Sequence, residues 1–351
     1  MWKMRHAEKA HFLATSRASE KSLLLGSHLW EVYNDSAECS NERGTSYIIS
    51  MTLHACNAEQ FACDNAFCIS MGKRCDALED CMDGSDEHEC EKLIIRKGYK
   101  KELTPILNTE KDVVVNVSIN ILDIEIYEST ETFTTKISLI RDWFDGRLMF
   151  KHLKNEPGKK MNTLFPTEIT KIWFPFVVFN NARKYKKAES LKADIVEVVP
   201  NKNFTYMARE NMHIFVGSKH TLSKVQGYNV DWKYEYGYQW YPFDTQVCRR
   251  EIVSLRFRTE LIPTNVQHNR NIYLNCYTLR RMQICKSSID QSSAIIVEIT
   301  LGRPIINNLL TVFVPTILLV IISFIARFFA EDYIDMVVQV NLTILLVLAT
   351  K

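Results

Sequence analysis

Hydrophobic and polar positions alternate along much of the middle of the chain. Val113, Val115, Val117, Ile119 and Ile121 alternate with polar partners over much of their run, the period-two signature of half-buried strands. Phe133 to Leu139 and Ile295 to Leu301 repeat the pattern. Turn signals such as Glu156-Pro157-Gly158 and Pro200-Asn201 separate the runs. Short strands without a helical period, over about two hundred residues, predict a β-sandwich.

The texture changes after Leu301-Gly302-Arg303-Pro304. Ile305 to Ala326 is a run of twenty-two residues without a charge. As a helix it spans about 33 Å, enough for the roughly 30 Å hydrocarbon core of a bilayer. Pro315 lies in its middle, which membrane helices tolerate. Arg327, Glu331, Asp332 and Asp335 mark an exit to water, and Met336 to Thr350 forms a second apolar run. On that second helix Gln339, Thr343, Leu346 and Thr350 share one face. Lipid has no use for a polar stripe. A water-filled pore does, and a ring of Leu346 would close it by dewetting. The stripe alone fits equally a helix whose Gln339 and Thr343 hydrogen-bond a neighbour.

At 351 residues the chain holds more than one domain. Its net charge of +2 argues neither for nor against nucleic acid, and no nucleic-acid partner is expected. Six of the ten cysteines lie between Cys56 and Cys90, a density that points to an oxidising, extracellular compartment. No signal peptide is visible, so residues 1–54 read as a disordered or wrongly predicted N-terminal segment. The glycosylation sequons Asn116-Val-Ser118 and Asn203-Phe-Thr205 agree with an outside location; Asn341-Leu-Thr343 falls in the expected pore helix and is set aside. No G-x-S-x-G, H-E-x-x-H or phosphate-cradling loop occurs, so no enzyme is expected.

Between Cys56 and Cys90 the cysteines are separated by six, four, six, five and eight residues, and the last part reads C-D-A-L-E-D-C-M-D-G-S-D-E-H-E-C. This stretch, taken as 55–91, resembles the LDL-receptor class A repeat over its whole length. So short a segment cannot bury enough surface to fold alone, and clustered carboxylates suit calcium. The resemblance implies calcium held by the side chains of Asp76, Asp80, Asp86 and Glu87 and by the backbone carbonyls of Lys73 and Leu78, with Asp83 bracing the loop. It further implies Phe61 and Ile69 as a small apolar core, and disulfides Cys56–Cys68, Cys63–Cys81 and Cys75–Cys90. Ala77 departs from the usual glycine.

Within 92–302, Trp143-Phe-Asp145-Gly-Arg147-Leu148, Trp173-Phe-Pro175 with Phe179-Asn180-Asn181, and Trp240-Tyr-Pro242-Phe243-Asp244-Thr-Gln246-Val-Cys248 occur in that order. They are similar to the motifs of the pentameric ligand-gated ion channels, the Cys-loop receptor family, and Arg303 and Pro315 fit the same pattern. There are departures. Tyr234 stands where the loop's first cysteine is usual, so Cys248 pairs with Cys39, Cys276 or Cys285 or stays free; Phe176 replaces an expected Asp.

The resemblance implies a mainly β extracellular part, calcium module plus sandwich, followed by α-helical transmembrane segments over 303–351. Two further helices would complete a channel, so the chain reads as truncated after its second. It also implies a plasma-membrane pentamer of identical or related subunits in lipid, with a small-molecule or ionic ligand bound between sandwiches. Position by position the ligand box holds Phe179, Leu255, Phe257 and Ser138, capped by a hairpin near Lys286 to Ser293. Too few of these are aromatic for an acetylcholine-like cation. Pro242, Phe243, Asp244 and Arg303 would transmit binding to the pore. Asp335 with Glu331 and Asp332 favours cations, whereas the second apolar run looks like a divergent invertebrate branch with chloride-conducting members; both stay open. The alternative is a membrane-anchored receptor that captures ligand with the calcium module.

Overall fold

The computed structural model describes residues 2–5, 12–16, 25–33, 46–106, 112–155, 161–188, 195–201, 205–209, 211–256, 258–268, 274, 277–289, 292–326, 328 and 334–349. The turn at 156–158, the sequon Asn203, the cysteines Cys39 and Cys276, the charges Arg327, Glu331 and Asp332, and the candidate residues Phe257 and Thr350 lie outside them.

In chain order the strands are β1 Trp2–Arg5, β2 Phe12–Ser16, β3 Gly26–Tyr33, β4 Ser46–Leu53, β5 Gln60–Ala62, β6 Cys68–Ser70, β7 Leu93–Ile95, β8 Val113–Tyr127, β9 Thr132–Trp143 and β10 Leu148–Lys151. After the short helix α1 Pro166–Ile169 come β11 Val177–Phe179, β12 Ala182–Lys187, β13 Ile195–Pro200, β14 Met207–Arg209, β15 Met212–Val216, β16 His220–Lys233, β17 Thr245–Ser254, β18 Thr259–His268, β19 Thr278–Ile289 and β20 Ser292–Gly302. The helices α2 Ile305–Asn308, α3 Val314–Ala326 and α4 Ile334–Ala349 follow.

Two compact units emerge. The first comprises Met1–Val113, Asp142–Phe174 and Ile195–Lys224. It contains the antiparallel meander β1-β2-β3-β4, the small β5-β6 pair and the sheet β14-β15-β10-β7. Within 1–54, expected to be disordered or wrongly predicted, β3 and β4 pair over their full length and Trp30 is buried. The Trp143 motif is the hub of this unit. Trp143 meets the Trp173 ring edge-on at 6.4 Å and the Phe174 ring at 5.8 Å. Asp145, 1% exposed, holds Arg147 through both carboxylate oxygens at 2.9 and 2.7 Å and accepts from the Tyr99 hydroxyl at 3.1 Å. Two parallel charge-assisted bonds fix such a turn more firmly than one. A Cβ on Gly217 would stand 2.3 Å from the Asp145 carbonyl oxygen, so only glycine lets the two backbones meet.

The second unit comprises Val114–Arg141, Pro175–Asp194 and Val225–Lys351. The sheet β11-β17-β20-β19 faces the sheet path β12-β16-β9-β8-β18. In β9 every second residue from Phe133 to Trp143 is buried, as strict alternation requires when one face meets a core. Between the sheets Phe179, Tyr228 and Trp232 pack edge-to-face at 5.1 and 5.7 Å, and the Arg250 guanidinium lies 4.2 Å over Phe133.

Helical conformation is continuous from Ile305 to Ala326 but not uniform, because Leu309–Phe313 is π-helical. Pro315 has no N–H to give to the carbonyl four residues back, and a wider turn just before it accommodates that loss. The Thr316 hydroxyl donates to the Val312 carbonyl at 2.6 Å. So divided, α3 has 13 residues and α4 has 16, and no described helix is long and apolar enough to cross a membrane. Ser323 donates to Asn341, and Ile344 is buried, so these residues mark the side of α4 that meets α3. At about 100° per residue, Gln339, Thr343 and Leu346 fall on the opposite, exposed side. The Thr343 hydroxyl bonds the Gln339 carbonyl of its own helix at 2.8 Å; the bond between the helices is made by Asn341 instead.

Candidate functional site

A buried polar cluster of the second unit forms where β20 gives way to the helices. Arg303, the residue after β20, is 6% exposed. Its Nε donates to both oxygens of Asp244 at 2.8 and 3.1 Å. One terminal nitrogen donates to the Tyr277 hydroxyl at 2.6 Å and pairs with Glu128 at 3.0 Å. The rings of Tyr277, Tyr241 and Tyr238 lie 4.6, 5.0 and 5.7 Å from the guanidinium carbon. Burial alone would lower the Arg303 pKa, but Tyr277, Glu128 and Asp244 outweigh it and hold the cation above its ordinary range. Burial, with a hydrogen bond to Glu128, pushes the Tyr277 phenol up, so it stays protonated.

Each partner is placed by its element. Asp244 ends the loop that precedes β17, where Gln246 donates to Asp244 at 2.7 Å and clamps Gly237 through its amide. In that loop Pro242 follows a cis peptide bond and is buried, while Phe243 and Trp240 are exposed. Tyr241 stacks on Phe313 of the π-helical turn at 6.4 Å. Glu128 sits in the turn between β8 and β9. The structure thus brings Asp244 and Arg303 together, as the motifs suggest, and adds Glu128 and Tyr277, which sequence reasoning missed. The turn between two alternating strands is the one signal that points at Glu128; Tyr277 carries none.

Of the residues expected at the ligand box, Phe179, Leu255 and Ser138 are described. Phe179 is buried against Tyr185, Tyr228 and Trp232, so its ring is spent on the core. Leu255 is 61% exposed at the end of β17, and Ser138 is half-buried on β9 in the other sheet. The hairpin β19–β20 does form, with Lys286 opposite Ile295 and Ser288 opposite Ser293. Cys248 is a buried thiol and Cys285 an exposed one. Burial raises Cys248 to about 11, so its thiolate is scarce at neutral pH. Peptide mapping after brief maleimide treatment of the native chain should find Cys285 modified and Cys248 untouched until denaturant is added.

In the first unit the small module is tied by Cys56–Cys68, Cys63–Cys81 and Cys75–Cys90, around Phe61, Ile69 and Met71. Its carboxylates are tied to the backbone of one loop. Asp86 is fully buried; one oxygen accepts from Asp80 N at 2.8 Å and the other, Oδ1, has no partner. Glu87 accepts from Asp76 N and Ala77 N at 2.8 and 3.1 Å, and Asp76 accepts from Leu78 N at 3.0 Å. Asp83 braces the loop through Asn65 and Ser85. Asp80 takes the Lys73 ammonium at 2.5 Å, a bond that holds Lys73 above its ordinary range. Leu78 is exposed. A buried carboxylate oxygen without a donor is costly unless a cation completes it, so this hard-oxygen set fits calcium. Asp83 also lies within 4.8 Å of Cys63 and Cys81, but those sulfurs are bonded to each other and offer no thiolate.

Behind the module, His152 is buried with a left-handed backbone, φ 59°. Burial, then Arg74, Lys151, Lys154 and Lys92, pushes its imidazole down to about 3. The neutral ring is the native one. Its contribution is therefore complete above pH 6.5 and falls by about 1.4 kcal/mol per pH unit from there toward 3. His152→Asn, which accepts left-handed backbone, should flatten the loss between pH 6.5 and 5 by about 2 kcal/mol in urea unfolding.

Comparison with known proteins finds two domain families in the chain. Residues 54–90 match the low-density lipoprotein receptor domain class A, and residues 87–215 match the neurotransmitter-gated ion-channel ligand binding domain. Over these residues the chain is similar to Cys-loop receptors. It is 21% identical over 267 residues to a glutamate-gated chloride channel of Drosophila melanogaster, covering 72% of this chain and 54% of that one. Against the glycine receptor subunit beta of Rattus norvegicus it is 23% identical over 233 residues, 63% and 43% of the two chains. Against the gamma-aminobutyric acid receptor subunit pi of Bos taurus it is 22% identical over 266 residues, 72% and 55%. The receptor-like chain thus spans about half the length of these curated relatives. The matched family is one of ion channels, so the chain is not an enzyme.

Proposed function

We propose that the chain is a subunit of a ligand-gated ion channel at the cell surface, with the module and sandwich outside. The observation that carries this reading is the buried cluster of Arg303, Asp244, Glu128 and Tyr277. It ties two sandwich turns to the residue that leads into the apolar helices, so a shift of the sheets is delivered to the helices as a change in a network with few alternative arrangements. The exposed stripe of Gln339, Thr343 and Leu346, opposite the side that meets α3, supports α4 as the pore-lining helix. Five copies, identical or related, would surround the path in lipid, with Ile305–Ala326 and the second run spanning the bilayer.

Relatives named for glutamate, glycine and gamma-aminobutyric acid support a small-molecule ligand held between neighbouring sandwiches. The module takes calcium through Asp76, Asp80, Asp86 and Glu87 with the carbonyls of Lys73 and Leu78. The test is cysteine accessibility. The chain, extended to the length of its relatives, is expressed in oocytes with Gln339, Thr343 or Leu346 replaced singly by Cys. A water-soluble thiol reagent should change the current at each. Residues sealed from the reagent in every state would instead make the helices an anchor and the module the binding part.

A further inference from the structure

The chain places a residue behind the calcium loop that the module's own pattern does not contain. Lys154, in the loop after β10, is 8% exposed. Its backbone is clamped in both directions by the buried Asn162, whose Oδ1 accepts from Lys154 N at 2.7 Å and whose Nδ2 donates to Lys154 O at 2.9 Å. The clamp aims the side chain into the module. There its ammonium donates to the carbonyl of Gly72 and, at 2.5 Å, to that of Arg74. These carbonyls stand on either side of Lys73. Gly72 and Lys73 belong to the turn Met71–Lys73, which is capped by the Ser70 hydroxyl and ends at Arg74. Arg74 is held on its other side, its guanidinium 4.1 Å over the ring of Phe61 in the module's core. The same surface of the module is joined again by Asn211, which exchanges bonds of 2.9 and 3.3 Å with Ala62, and by Lys151, which donates to the Glu89 carbonyl.

A buried ammonium must spend its donors on acceptors, and here it spends two on the backbone around one assigned calcium ligand. We propose that Lys154 is a positioning residue of the calcium loop: by holding the carbonyls that flank Lys73 it sets the module's calcium affinity. By reciprocity, calcium stabilises the loop that carries Lys154. The inference rests on the calcium reading above.

The test uses the whole chain and calcium ion. Titration calorimetry of Lys154→Met, which keeps the stem and removes the charge, should show calcium binding weakened about tenfold or more. Lys154→Arg should restore most of it. A lysine that merely fills space would give Met the same affinity as the unmodified chain, and that result overturns the coupling alone. No calcium binding by the unmodified chain overturns the calcium reading and the coupling together. A second measurement needs no variant. Residues 54–90 contain no tryptophan, whereas Trp143 and Trp173 are buried in the same compact unit. Calcium at a hundredfold excess over its dissociation constant should raise the tryptophan-reported unfolding midpoint by several degrees. Binding that leaves this midpoint unmoved also overturns the proposal.

Discussion

Arg303→Met should destabilise the second unit by about 3–5 kcal/mol and abolish ligand-evoked current. The magnitude follows from what the substitution leaves behind. Asp244 is 5% exposed, and without Arg303 it keeps only neutral donors such as the Gln246 amide. A buried carboxylate stripped of its cation costs far more than a surface ion pair gains. Glu128 and the Tyr277 hydroxyl lose the same donor, and three tyrosine rings lose the cation they surround. Asp244→Asn should be milder, because its amide oxygen still accepts from Arg303 while Glu128 continues to pair with it. Urea unfolding checks the stability term. In a double-mutant cycle, Arg303→Met combined with Asp244→Leu should cost less than the sum of the two alone. Strict additivity would mean that the pair carries no coupling, and the junction would lose its claim to transmit anything.

What was legible in the chain depended on how local each signal is. The module could be read because its cysteines and carboxylates lie within one short segment and the resemblance supplies their pairing. The long strands β8, β9 and β20 could be read because alternation needs only neighbours a few residues away. The N-terminal meander could not. Gly26–Tyr33 mixes polar and apolar residues on both faces, and although Ser46–Leu53 carries Tyr47, Ile49, Met51 and Leu53 on one face, the partner strand that pairs Trp30 with Ile49 begins beyond a long intervening segment.

The junction was half legible for a related reason. Asp244 and Arg303 belong to recognisable motifs, but Glu128 and Tyr277 reach them across more than a hundred and about thirty residues of chain, respectively, measured from Asp244. Phe179 shows the opposite failure. Its position in the sequence suggests an open box, yet the direction of a ring is decided by what the facing sheet offers, and Tyr228 and Trp232 offer a core. A motif fixes where a residue sits along the chain; the opposing layer fixes what its side chain does.

Asp86→Ala should lower the module's calcium affinity by at least a hundredfold and leave it prone to reduction. Asp86 is fully buried with one oxygen committed to Asp80 N and the other without a donor. On the calcium reading proposed above it would link the metal to the backbone of the loop. Removing it takes away a ligand and also the acceptor that holds Asp80 in place, so the loss exceeds that of an exposed ligand. So small a module has little apolar core besides Phe61, Ile69 and Met71, and metal and disulfides must make up the difference. Those two supports are coupled. Cys75 N donates to the Asp86 carbonyl at 3.0 Å, so a loop loosened at Asp86 exposes the Cys75–Cys90 bridge. With saturating calcium the unmodified chain should resist mild thiol reductant at this bridge. Chelation, or Asp86→Ala with calcium present, should let Cys75 and Cys90 be alkylated within the same interval, as mass spectrometry of the peptides would report. Equal protection with and without calcium would show that the disulfides alone hold the loop, and the carboxylate cluster would then be no more than an acidic surface.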